Sequence, residues 1–141
     1  MIFIGDIAFT KDVNPRIINL PEAFKQNIVI ANLEGSIVSN SSVTNKESKL
    51  FNDINVVGFL EDLNVKVVSL GNNHITDVPE AFQHTKEILD RKKLARCGAG
   101  DNLHEASQPA IINIDNEQYA FLSFGWNAIS CIYAKNKKKR M

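Results

Sequence analysis

Apolar residues along the chain gather in short runs that stop at polar ones. Ile2, Phe3 and Ile4 form a first run stopped by Gly5-Asp6, and Ile28, Val29 and Ile30 a second stopped by Asn32. Val65, Val67, Val68 and Leu70 form a third, stopped by Gly71-Asn72-Asn73-His74. Unbroken, mostly β-branched runs of this kind predict strands buried on both faces. Between them the period becomes helical. Pro21 opens a short helix through Lys25, and Val56, Val57, Phe59, Leu60 and Leu63 mark a second. Pro79 begins the strongest one, where Phe82, Ile88 and Leu89 are apolar, Lys86, Glu87, Asp90, Arg91 and Lys92 are expected to face out, and Asp77 stands where an N-cap belongs.

Residues 35–49 are polar and read as a long surface loop, a length that in compact domains is often functional. Cys97-Gly98-Ala99-Gly100 predicts a sharp turn, after which Asp101 or Asn102 caps a short helix through Ala106. Residues 110–114 and 118–124 read as an antiparallel hairpin joined at Asp115-Asn116-Glu117. Strands alternating with helices predict a layered α/β fold.

Charge and composition narrow the function classes. The 141 residues carry 16 bases and 16 acids, yet five of the bases are Lys135, Lys137, Lys138, Lys139 and Arg140. Without them 11 bases face 16 acids, so residues 1–134 form an acidic body and residues 135–141 a basic tail. Such a body gives no reason to expect nucleic-acid binding. Cys97 and Cys131 are too few for a disulfide framework and read as reduced, packed thiols. No apolar run reaches the roughly 20 residues that span a bilayer, and no signal-peptide pattern precedes the first strand, so the expected location is cytoplasmic.

The polar residues at the strand ends carry the chemistry. In open α/β sheets ligands bind beyond the carboxyl ends of the strands. If the three strands are parallel neighbours, Asp6, Asn32, Glu34, Asn72, Asn73 and His74 converge. Taken singly, each has an ordinary use in a turn or a cap. Together they make a carboxylate, amide and imidazole set suited to a divalent metal such as Mn, Fe, Zn or Mg. The chemistry that uses such a set is hydrolytic, with Glu34 or Asp6 as a bridging carboxylate and a histidine serving the leaving group.

The pieces Gly5-Asp6-Ile7, Ala31-Asn32-Leu33-Glu34-Gly35 and Val67-Val68-Ser69-Leu70-Gly71-Asn72-Asn73-His74 with Asp77 resemble the CapA-type proteins of bacterial poly-gamma-glutamate capsule synthesis. These are relatives of the calcineurin-like metallophosphoesterases, and the resemblance runs to about Trp126. It implies a metallophosphoesterase-like β-sandwich flanked by helices, with Asp6, Glu34 and Asn73 as metal ligands and His74 as the catalytic imidazole. Asn32 and Asn72 take supporting places, and Asp77 either orients His74 or caps the helix. It also implies a phosphate- or carboxylate-bearing small molecule or polymer as substrate, and partners in membrane-associated capsule machinery.

Two departures stand out. Val78 and Pro79 replace the glycine expected after Asp77, and neither His84 nor His104 resembles the later His-x-His motif. The chain is therefore expected to be the amino-terminal part of such a domain, with an incomplete site. The alternative is a non-catalytic α/β binding module or a truncated remnant of such an enzyme.

Overall fold

The computed structural model describes residues 1–9, 13, 16–17, 19–39, 49–126 and 131–135. All of the expected basic tail but Lys135 lies outside them, as does most of the polar segment before Lys49. In chain order the elements are β1 (Ile2–Ile7), α1 (Glu22–Gln26), β2 (Val29–Leu33), β3 (Ser36–Val38), β4 (Phe51–Asp53) and α2 (Val56–Asp62). There follow β5 (Val65–Ser69), α3 (Pro79–Arg91), β6 (Ala95–Cys97), α4 (Leu103–Ala106), β7 (Ala110–Ile114) and β8 (Glu117–Phe121).

The expected α/β organisation is present. Four strands make one parallel sheet in the order β1-β2-β5-β6. A helix intervenes between each neighbouring pair, the kind of crossover that parallel pairing requires. One core joins Val29, Ala31, Leu33, Val65 and Val68 of the sheet to Val56, Val57 and Leu60 of α2 and Ile88 and Leu89 of α3. On a second, smaller core, Ile30, Val67 and Cys97 meet Ala110, with Ile112 and Phe121 packed against them. The molecule thus stacks helices, sheet and hairpin in three layers. Leu60 and Leu89 are wholly buried; burying a side chain of this size contributes about 1.5–3 kcal/mol.

The hairpin turns on Asp115 and Asn116, both with positive φ (50° and 67°). Two such residues form the tight connection whose twist matches that of the strands, and Asp and Asn tolerate the left-handed region.

Several local expectations are corrected. Gly5-Asp6 does not stop β1, which runs on to Ile7 with a register shift between Phe3 and Asp6. Nor does Asn32 stop β2, whose ladder continues to Leu33. β1 is not buried on both faces: it is the sheet edge, and Phe3 stays 68% exposed beside Phe121 of the hairpin. The segment read as a loop from residue 35 contains β3, which pairs in parallel with β4. Asp77 does not cap α3; Val78 holds the cap position and no side chain caps it. Asn102, as expected, caps α4 through its Oδ1 and the Glu105 N–H (3.0 Å). Lys86, expected to face water, is 4% exposed, because its Nζ turns in to Asp101 (2.7 Å) and Glu105 (3.2 Å). β8 ends at Phe121, short of Phe124.

Candidate functional site

Parallel pairing places Asp6 beside Asn32, and Asn32 beside Ser69. The polar strand ends therefore do converge. Asn32 Nδ2 donates to Asp6 Oδ1 (2.7 Å) and to Glu34 Oε2, so two carboxylate oxygens point at one amide nitrogen. The amide cannot turn freely, since Asn32 Oδ1 accepts from Asn72 Nδ2 (3.2 Å), which also donates to the Leu33 carbonyl (2.9 Å). Asn72 closes the chain of contacts by accepting the His74 N–H at its Oδ1 (3.1 Å).

The electrostatics of this cluster are lopsided. Burial pushes the Glu34 carboxyl above its usual 4.5; the Asn32 amide opposes that, Asp6 and Asp77 add to it, and His74 draws it back only in part. A carboxylate held beside other carboxylates, with amides in place of cations, favours whatever brings positive charge.

His74 lies in the turn after β5, with its side chain 31% exposed. Its Nδ1 meets Asp77 Oδ2 at 2.7 Å, and the same oxygen accepts the Leu50 N–H at 2.8 Å. Of the two uses the sequence left open for Asp77, the helix cap is absent and the contact with the His74 ring is present. With Nδ1–H donated to Asp77, Nε2 is the nitrogen available for proton transfer. Asn73 is half-buried in the same turn, and among the described residues no hydrogen bond ties it to the cluster. His104 bonds with Gln108, and His84 lies in α3; neither bonds to the cluster.

The family model for bacterial capsule synthesis proteins (PGA_cap) matches residues 1–141. The chain belongs to that family. No curated protein matches it.

In this capsule synthesis protein the site also has supports that sequence reasoning missed. Asn52 and Ser36 are wholly buried. Asn52 Nδ2 donates to the carbonyls of Glu34 (2.9 Å) and Gly35 (3.1 Å), and Ser36 Oγ donates to that of Ile75 (2.6 Å). Both sit on or beside three-residue strands too short to leave a periodic trace. The one sequence signal was Gly35: its φ is +88°, and a Cβ there would lie 2.6 Å from the Leu50 carbonyl oxygen.

Among the described residues no three His, Cys, Asp or Glu side chains gather as a ready metal cluster. The donors that do converge are two carboxylates, with amide groups around them. Hard oxygen donors of this kind fit a divalent cation by chemistry.

No helix among the described residues is long and apolar enough to cross a membrane.

Proposed function

We propose that this capsule synthesis protein works through a metallophosphoesterase-like site, a metal-dependent hydrolase acting on a phosphate- or carboxylate-bearing substrate of poly-gamma-glutamate or exopolysaccharide biosynthesis. The observation that carries the reading is the convergence of Asp6 and Glu34 on one point, the Asn32 amide nitrogen, near an imidazole braced by Asp77. Asp6 and Glu34 would hold the ion, with the Asn73 amide as a further ligand. A bound Mn, Fe, Zn or Mg ion supplies Lewis acidity and a water of lowered pKa. Asn32 and Asn72 keep the two carboxylates aimed at that point. Protonated His74 would give its Nε2 proton to a departing oxygen, with Asp77 steadying the imidazolium until the transfer leaves a neutral ring.

The hairpin supports the sandwich expected of such a fold, because β7 and β8 lie on the sheet face opposite the helices and supply the first pair of a second layer. One observation favours a second reading. Two carboxylates are a thin ligand set, and metal affinity depends on ligand count and a formed cavity. On that reading the protein is a non-catalytic module that binds a capsule-synthesis partner.

Elemental analysis of the purified protein, with hydrolysis of a generic phosphodiester by wild type and His74→Ala, tests the proposal. Bound divalent metal and activity lost in His74→Ala are expected. Equal activity in both proteins removes His74 from the mechanism, and a wild type with neither bound metal nor turnover selects the second reading.

A further inference from the structure

Four residues of chain, from Leu50 through Asp53, bond to Asp77 and to the backbone that follows β1 and β2. The Leu50 N–H reaches Asp77, and the Asp53 N–H donates to the Phe9 carbonyl just past β1 (2.6 Å). Between them Asn52 accepts the Phe9 N–H at its Oδ1 (2.8 Å) and gives both amide protons to the Glu34 and Gly35 carbonyls. The side chain has no exposure at all.

A carboxamide suits this position in a way other side chains do not. Three main-chain groups, one N–H and two carbonyls, leave the ladder where β1 and β2 end, and each needs a partner once buried. Only Asn and Gln bring an acceptor and two donors on one planar group. Aspartate has no donor at neutral pH, and serine has one. Since the N–H and the carbonyls lie on opposite sides of the amide, its orientation is fixed as well.

We infer that Asn52 is a positioning residue, which holds the backbone of Glu34 and thereby aims its carboxylate at the point shared with Asp6. The inference rests on the reading of that point as an ion site only for its functional consequence. The aiming of Glu34 itself can be followed without metal, through the Asn32 side-chain amide that Glu34 and Asp6 share.

Thr85 provides the control. It is equally buried, and its Oγ1 accepts the Ile37 N–H (2.8 Å) and donates to the Ala81 carbonyl (2.8 Å), but it bonds to none of the site residues. A merely structural role for Asn52 predicts that the two substitutions behave alike.

The experiment compares wild type, Asn52→Asp and Thr85→Val by thermal melting, by the NMR signal of the Asn32 side-chain amide, and by Mn2+ titration. Both variants are expected to melt lower. In folded Asn52→Asp the Asn32 signal should move toward that of an unbonded amide, and Mn2+ affinity should fall at least tenfold. Thr85→Val should keep both at wild-type values. Should Asn52→Asp fail to fold, Asn52→Ser, which adds no buried charge, takes the same measurements. An unmoved Asn32 signal in a folded Asn52 variant overturns the inference. If wild type takes up no Mn2+, the ion reading falls, and the Asn32 signal still decides whether Asn52 aims Glu34.

Discussion

Two clusters in this protein each gather a pair of carboxylates, and they are built on opposite terms. At the strand ends, Asp6 and Glu34 share the amide of Asn32, with Asp77 nearby and, among the described residues, no lysine or arginine bonded to them. Beneath α3, Asp101 and Glu105 meet the buried Lys86, and Glu105 meets Arg96 as well. The glutamates respond in opposite directions. Burial raises Glu34, and the neighbouring acids keep it up. Burial also raises Glu105, but the Asp101 N–H, Lys86 and Arg96 outweigh it and hold the carboxyl below 4.5. A fold that needs carboxylates only as fasteners supplies their cations from its own chain. Leaving a pair short of cations costs stability, and the proposed use of that shortage is to hold an ion from solution.

The strongest way to break this contrast is to neutralise the first pair. Asp6→Asn with Glu34→Gln is expected to weaken Mn2+ binding by about a hundredfold, ~2.7 kcal/mol, read by calorimetric titration. The metal-free double variant should melt no lower than wild type. A clear loss of stability there makes the pair a structural fastener like the other one.

Lys86→Ala attacks the second cluster and should do the reverse. Removing one partner of a buried ion pair is strongly destabilising, but Asp101 is half-exposed and water takes up part of the loss. About 2 kcal/mol of unfolding free energy should go, measured by urea denaturation, with Mn2+ affinity unchanged.

Asp77→Asn should lower phosphodiester hydrolysis about tenfold, ~1.4 kcal/mol, as expected when an orienting partner of an active-site histidine is lost. The Leu50 N–H keeps an oxygen to donate to, so the melting temperature should hold within a few degrees. A large fall in stability with full activity would make Asp77 a support of the loop instead.

The smallest effects lie in pH, and their signs differ. The lowered Glu105 contributes stability above pH 4.5 that is lost as pH falls through its folded pKa. The raised Glu34 does the opposite: its contribution is complete below pH 4.5 and disappears as pH rises through its folded pKa. Relative to wild type without metal, Glu105→Gln should lose least at low pH, and Glu34→Gln should gain most near neutrality. Urea melts between pH 3.5 and 7 would show the two curves crossing, or refute the assignment if they run parallel.

The site was more legible in the sequence than its scaffold. Asp6, Asn32, Glu34, Asn72 and His74 each follow or end an apolar run, and the rule that ligands gather beyond the strand ends is enough to bring them together. β3, β4 and β6 escaped because three residues carry no measurable period. Asn52 escaped with them, since an asparagine between two apolar stretches reads as a turn until its partners are known. Lys86 was misplaced for a related reason: helical spacing gives a face, and only the fold reveals that Asp101 and Glu105 wait on it. Asp77 had two local explanations of equal standing, and only the folded turn, where its carboxylate meets the His74 ring and Val78 takes the cap position, separates them.

The order of the main sheet has a consequence in time. Its strands lie side by side in the order in which they are synthesised, β1, β2, β5, β6, so each emerges from the ribosome next to a neighbour already made. Asp6, Asn32 and Glu34 can find one another on a nascent chain that does not yet include Asn52 or His74. The acidic pair is the earliest part of the site to exist, and the residues that aim it and work beside it arrive afterwards.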